Sequence, residues 1–283
     1  MKHVREAIAL NGIAVDANVA AFEWGRRWVA DPDSVDALVR RRSIPTTEVA
    51  VRPLAPSLAR RIDRLGAGSA DRGVLAMLGS DLVAYQDAAY CARWLDLLEG
   101  VAAAESSVGA GETRELTMAV ARSYHKLLAY KDEYEVARLM LSEDGLAAAR
   151  AVGGDQAAVT WHLHPPALSG AGVKGKIRFG PWSRPAFAAL ARAKRLRGSA
   201  FDPFGRAPVR VLERQLPVEY EAAIDAILPH LSAANLAAAV EIARLPELVR
   251  GFERLKVERA ASYGKAIAEQ VLALKLASEL CSG

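Results

Sequence analysis

TRELTMAVARSYHKLLAYKDEYEVARLML, residues Thr113–Leu141, carries the clearest structural signal in the chain. Leu116, Val120, Ser123, Leu127, Tyr130, Tyr134, Ala137 and Leu141 follow one another in alternating steps of four and three. That spacing sets one stripe along a helix of 3.6 residues per turn and predicts a single long helix packed against a neighbour. Upstream, Val74–Ala104 reads as a second long helix, ended by Ser106–Gly111. A short connection makes the two an antiparallel pair.

Helical signals continue on both sides. Val4–Ala30 reads as one helix with Gly12 and Gly25 as weak points, and Asp31-Pro32 starts a short helix over Asp33–Arg42. Three prolines mark Ser43–Pro56 as a linker, and Gly66–Gly73 reads as a loop. The expected organisation is therefore an N-terminal helical segment over 1–42, a linker over 43–73 and a helical domain over 74–283. Within the last, Ala157–Leu163 and Lys174–Phe179 alternate in character and predict a β-hairpin at about 157–179. Helices resume at about Arg184–Leu196, Ala207–Leu228, Ser232–Leu245 and Gly251–Leu280, with Ser183 and Ser232 as expected N-caps. The fold class is mainly α: a multi-helix domain with two long central helices and a small hairpin insertion.

Composition narrows the function classes. The 283 residues are 52% hydrophobic and 25% charged, which suits a folded domain and argues against disorder. The formal charge of +4 is compatible with an acidic partner and equally with an ordinary solvated surface. The most basic region, Arg40–Arg42 with Arg52, Arg60, Arg61 and Arg64, has no interleaved aromatics, so no nucleic-acid partner is expected. Cys91 and Cys281 are the only cysteines, too few for an iron–sulfur cluster and too far apart for a zinc motif. No apolar run suggests a membrane span or a signal peptide, and a cytoplasmic location is expected.

The segment LRGSAFDPFGR, Leu196–Arg206, reads as a rigid turn. Gly198 and Gly205 have conformational freedom, Pro203 fixes its own φ, and Phe201 and Phe204 are placed to anchor the loop by burial. An Arg197–Asp202 pair would hold the turn in shape, although the arginines Arg197 and Arg206 also suit a phosphate or carboxylate. Lys131, Asp132, Glu133, Glu135 and Arg138 form a dense charged run. Its two readings are a polar docking or substrate-orienting site and a set of helix-surface ion pairs. His162 and His164 share one side of a strand but lack an obvious third metal ligand, so no metal site is expected. Arg250 and Lys256, after Pro246, suit anion binding or docking, or a solvated helix start. No spacing supports a Ser/His/Asp or Cys/His triad, and no glycine-rich stretch has a phosphate-cradling frame.

Several stretches, in order, carry a resemblance. They are LNGIAVDANVAAFEWGRR (Leu10–Arg27), AYQDAAYCARW (Ala84–Trp94), AYKDEYEVARL (Ala129–Leu139) and HLHPP (His162–Pro166). FGPW (Phe179–Trp182), LRGSAFDPFG (Leu196–Gly205) and LPELVRGFERLK (Leu245–Lys256) follow. Together they resemble the C-terminal region of long-chain indolepyruvate ferredoxin oxidoreductases, of the 2-oxoacid:ferredoxin oxidoreductase superfamily, from about Ala7 to about Lys265. The chain departs from the family pattern at Glu253-Arg254, commonly Gly-His there, and at His164, usually a small residue.

The resemblance implies an accessory domain or subunit without its own active site. The whole enzyme would oxidatively decarboxylate aryl pyruvates to acyl-CoA and pass electrons to ferredoxin. Thiamine diphosphate and iron–sulfur clusters would be bound by partner domains or subunits, including a gamma-type one, and not by this chain. Lys131, Asp132, Glu135, His162, Arg197, Asp202, Arg250 and Lys256 are the docking or ligand candidates. The resemblance sets Met1 near the gamma-to-tail junction, as in a separate subunit, a truncated gene or an excised domain. The alternative is an independent helical binding module for an acidic protein partner. A third reading, an autonomous enzyme, requires a closed pocket that collects Lys131, Glu135, His162 and Arg197. An exposed apolar patch near Phe22, Trp24 and Trp28 would favour the enzyme tail.

Overall fold

The computed structural model describes residues 2–12, 14–42, 52–109, 114–154, 158–163, 177–249 and 253–282. It is mainly helical, with thirteen α-helices and one two-stranded antiparallel sheet among these residues. The chain divides into two compact units, Met1–Glu48 with Leu146–Ala157, and Val49–Gly145 with Ala158–Gly283. No helix is long and apolar enough to cross a membrane among the described residues.

The first unit contains α1 (Lys2–Asn11), α2 (Val15–Ala30) and α3 (Pro32–Arg42). The single helix expected over Val4–Ala30 is broken at Gly12–Ala14, where Gly12 and Ala14 both have positive φ, 70° and 45°. Glycine meets this requirement without strain, alanine only with it. Arg5 spans the break to Glu23 at 2.6 Å. α2 has no buried residue.

The second unit starts within the predicted linker. α4 (Pro56–Arg64) and the first turns of α5 (Ser69–Tyr85) lie where linker and loop were expected. Pro56 opens α4 at a position where its missing N–H costs nothing, and Leu58 and Ile62 supply its buried face. Residues 43–51 of the predicted linker are outside the described residues.

Both long central helices are interrupted. α5 stops at Tyr85 and α6 (Ala88–Ser107) begins after two intervening residues, where the Asp87 carboxylate accepts the Tyr90 N–H at 2.9 Å. α7 (Glu115–Leu128) and α8 (Glu133–Met140) divide the predicted Thr113–Leu141 helix, and Asp132 caps the second half by accepting from the Glu135 N–H at 2.8 Å. An aspartate that binds the backbone locally offers an alternative to the continuous helical ladder. The stripe survives the break: Leu116, Val120, Ser123, Leu127, Tyr130, Tyr134 and Ala137 are all buried.

α7 is the axis of the core. α5, α6, α11 (Pro208–Ile227) and α12 (Leu236–Arg244) all pack on it, and ten of its fourteen residues are buried. Its pairing with α6 is antiparallel: Glu105 meets Leu116, and Trp94 meets Ala121. Glu115, Arg122 and Lys126 leave one exposed stripe on α7, and the polar groups at its buried ends are satisfied by protein. The fully buried Glu105 carboxylate accepts from the N–H groups of Leu116 and Thr117 and from the Thr117 hydroxyl. At the other end the Tyr90 hydroxyl donates to the Leu128 carbonyl at 3.1 Å. α13 (Glu253–Ser282), about 45 Å long at 1.5 Å per residue, lays Ala260, Tyr263, Ile267 and Leu274 into the core.

A second small cluster lies under the hairpin. β1 (Trp161–Leu163) and β2 (Ile177–Phe179) pair antiparallel, with Trp161 opposite Phe179 and His162 opposite Arg178. Trp161 packs edge-on to Phe187 of α10 (Arg184–Arg192), next to Ala137 of α8. The expected hairpin loop over 164–176 lies outside the described residues, and His164 with it. Neither expected serine cap forms. Ser183 Oγ donates to the Gly180 carbonyl instead, and α12 starts at Leu236, after Asn235 has accepted the Ser232 N–H.

Trp94 is fully buried and its indole N–H donates to Ala121. Trp94→Ala is expected to lower stability by about 3–5 kcal/mol, measured as the shift in urea midpoint with unchanged slope.

Candidate functional site

The two helix breaks meet at Arg197. Its guanidinium forks onto Asp132, Nε to Oδ2 at 2.5 Å and Nη2 to Oδ1 at 3.0 Å. Nη1 donates to the Tyr85 carbonyl at 3.0 Å and to Gln86 Oε1 at 2.6 Å. The guanidinium also lies 3.7 Å from the centroid of the Tyr85 ring. Lys194 adds a bond of 2.6 Å to the Ala84 carbonyl. Two cations thus take the last carbonyls of α5, where the helix dipole is negative, and one of them also holds the acidic N-cap of α8. Burial is the largest single influence on Arg197 and opposes its charge, but the Asp132 hydrogen bonds together with the electrostatic pull of Tyr85, Asp132 and Tyr130 outweigh it and raise the arginine pKa. Burial, and then Arg138 and Arg197, lower the pKa of Lys194.

Asp202 is the main organiser of the loop after Arg197, with Arg214 holding the Gly205 carbonyl at 2.6 Å. Its carboxylate accepts from the N–H groups of Gly198 at 2.8 Å and Phe204 at 3.1 Å, and from the Tyr134 hydroxyl at 2.9 Å. A side chain at Gly205 would stand 2.6 Å from Asp202 Oδ2, so glycine is required there for close approach. Burial works against the ionised carboxylate, yet the hydrogen bonds from Gly198, Tyr134 and Phe204 prevail and hold its pKa below the usual value. The expected Arg197–Asp202 pair is therefore not made: Arg197 is taken by Asp132, Tyr85 and Gln86, and Asp202 by the amides of its own loop and the Tyr134 hydroxyl. Phe204 packs edge-on against Tyr134, whereas Phe201 is 82% exposed and anchors nothing. Arg206 is also exposed.

Two further networks extend from α8. Arg138 grips Glu135 through both oxygens at 2.6 and 2.8 Å, as the i,i+3 spacing suggests, and reaches Asp81 at 3.0 Å. Asp81 in turn holds His125 Nε2 at 3.1 Å. The hydrogen bond with His125 leads the causes that hold the Asp81 carboxyl below its usual pKa. On the other side Arg210 pairs with Glu213 at 2.6 Å and Glu133 at 3.2 Å, and Lys256 bonds the second Glu213 oxygen.

The predicted residues are thus gathered in part. Asp132, Glu135, Arg197 and Asp202 converge on α8, and Lys256 joins the neighbouring network. Lys131 is exposed, and its carbonyl, not its amine, accepts from Arg210. It makes no i,i+4 pair with Glu135, because it precedes the helix. His162 is exposed on the hairpin, facing outward with Arg178. Arg250 lies outside the described residues. Sequence reasoning missed Asp81, His125, Arg210, Glu213 and Glu105. Only Arg210–Glu213, an i,i+3 pair, had a local signal.

Chemically, this arrangement holds and orients helices. Its strongest donors and acceptors face one another, and no three His, Cys, Asp or Glu side chains gather as a metal site among the described residues. Cys91 is fully buried, and burial pushes its thiol up to about 11, so it is not a thiolate at neutral pH.

Arg197→Ala leaves Asp132 buried without its cation and is expected to cost about 3–5 kcal/mol in chemical denaturation. Arg197→Lys keeps the charge but not the fork and is expected to retain most of the loss. Because the folded pKa of Asp202 is depressed, its contribution is complete above the unfolded value near 4 and fades as pH falls below it. The stability gap between wild type and Asp202→Ala should accordingly narrow from pH 5 to about pH 2 in urea titrations.

Residues 72–269, from within the first turn of α5 to within α13, match a family described as a family of unknown function (DUF6537). No curated protein and no solved structure matches the chain.

Proposed function

We propose that this chain, which belongs to the family of unknown function DUF6537, is a helical accessory domain or subunit of an indolepyruvate-type 2-oxoacid:ferredoxin oxidoreductase. It acts in the cytoplasm and serves to dock and stabilise the domains that carry thiamine diphosphate and the iron–sulfur clusters. Those domains decarboxylate an aryl pyruvate to an acyl-CoA and pass the electrons to ferredoxin. This chain provides no nucleophile to that reaction, and two distant cysteines do not fit a cluster.

The observation that carries this reading is the surface of α2. Trp24 and Trp28, one helical turn apart, are 49% and 52% exposed, and Val29 beside them is 77% exposed. Trp24 and Trp28 share one helix face, and large apolar side chains left half in water there suit docking of another protein. Further support comes from the resemblance motifs Ala84–Trp94, Ala129–Leu139 and Leu196–Gly205. These three separate stretches supply the partners that meet at Arg197.

The test is affinity purification of the tagged chain from its native cells, with the double variant Trp24→Ser/Trp28→Ser in parallel. Subunits containing thiamine diphosphate and iron–sulfur clusters are expected with the wild type and reduced about tenfold with the variant. Its circular dichroism should be unchanged, since neither indole is buried. Recovery of a folded chain without such subunits overturns the reading and favours an independent binding module for an acidic partner.

A further inference from the structure

A cavity of about 350 Å³ opens in the second unit between the end of α4, the outer face of α6 and the residue that precedes α7. Arg64 and Leu65 line one wall, Ala102, Ala103 and Ser106 another, with Glu99 and Arg114 between them. The charges in this wall are unevenly matched. Arg61 takes both oxygens of Glu99, at 2.8 and 2.9 Å, and Asp96 as well at 2.6 Å. Arg64 is left with a long contact of 3.5 Å to the same Glu99 carboxylate and a side chain that is 68% exposed.

Arg114 has still less. Its Nε and Nη1 are shielded from solvent and have no hydrogen-bond partner. A guanidinium with two nitrogens that have lost water and found no acceptor is costly, and an oxyanion is the ligand that matches its charge and donors. The acid in the cavity wall is already committed, because Glu99 is held by Arg61 through both oxygens, and Glu105 on the same helix is spent on the N–H groups of Leu116 and Thr117. The adjoining turn is also shaped for the arginine. Gly66 has a φ of 70°, and a side chain there would stand 2.9 Å from Arg114 Nη2.

We infer that this cavity binds a small oxyanion, a carboxylate or phosphate, carried on a compact apolar body. Arg114 supplies the donors, Arg64 a second positive charge at the mouth, and Leu65, Ala102 and Ala103 the apolar wall. The inference is independent of the oxidoreductase reading, because it concerns a ligand of this chain alone.

The test is calorimetric titration and thermal unfolding of the full chain with sodium benzoate, and separately with inorganic phosphate. Sodium chloride of equal ionic strength is the control. At least one anion is expected to bind and raise the unfolding midpoint beyond the chloride control. A response to benzoate alone identifies a carboxylate ligand, and a response to phosphate alone a phosphate. Arg114→Gln is expected to weaken binding at least tenfold, and Arg64→Gln several-fold. Arg64→Gln changes an exposed side chain and keeps the test decisive if Arg114→Gln does not fold. No binding of either anion to the wild type overturns the inference, as does unchanged affinity in a folded Arg114→Gln or, failing that, in Arg64→Gln.

Discussion

A single buried guanidinium holds together two places where the helical scaffold stops. Arg197 neutralises the carbonyl end of α5 and grips the capping carboxylate of α8, so neither interruption leaves its polar groups bare. The long helices expected from the sequence are consequently two pairs of shorter ones, free to change direction. Without the arginine, the Tyr85 carbonyl and the Asp132 carboxylate would be desolvated with too few partners, which is the expensive state for a buried polar group. The burial of Tyr85 and Tyr134, whose rings enclose the guanidinium, depends on the same contact.

The core obeys the same logic at each end of α7. Ordinary surface helices leave their end groups to water, but in α7 protein groups take several of them. A carboxylate from α6 serves its N-terminus and a tyrosine hydroxyl its C-terminus, while Trp94 and Tyr220 direct their polar atoms to carbonyls on neighbouring helices. The large aromatics therefore fix distances between helices as well as fill volume. This explains how a chain with few aromatic residues, 6%, builds a defined core from many alanines.

What could be read in advance followed from local physics. The three-and-four spacing in α7 and α8, the hairpin strands and the α10 and α11 segments all depend on neighbours within a few residues. The breaks were hidden because Asp87 and Asp132 sit in stretches that remain apolar-periodic on both sides, and because Ala129–Lys131 contains no glycine or proline. The candidate residues show the same divide. Glu135 with Arg138 follows from helix spacing, whereas Arg197 with Asp132 joins residues 65 apart and Arg138 with Asp81 joins residues 57 apart. Arg197–Asp202 looked natural because the two lie close in sequence. Asp202 instead turns inward to the amides of its own loop.

The Glu105 cap has a kinetic side. It closes only eleven residues, a small loop with a modest entropic cost, and it joins two helices that already have strong local signals. Arg197 must wait for segments 111 and 65 residues away to be in place before any of its bonds can form. The α6–α7 contact is local and cheap to close, whereas the full set of Arg197 bonds needs α5, the α8 cap and the loop all in place.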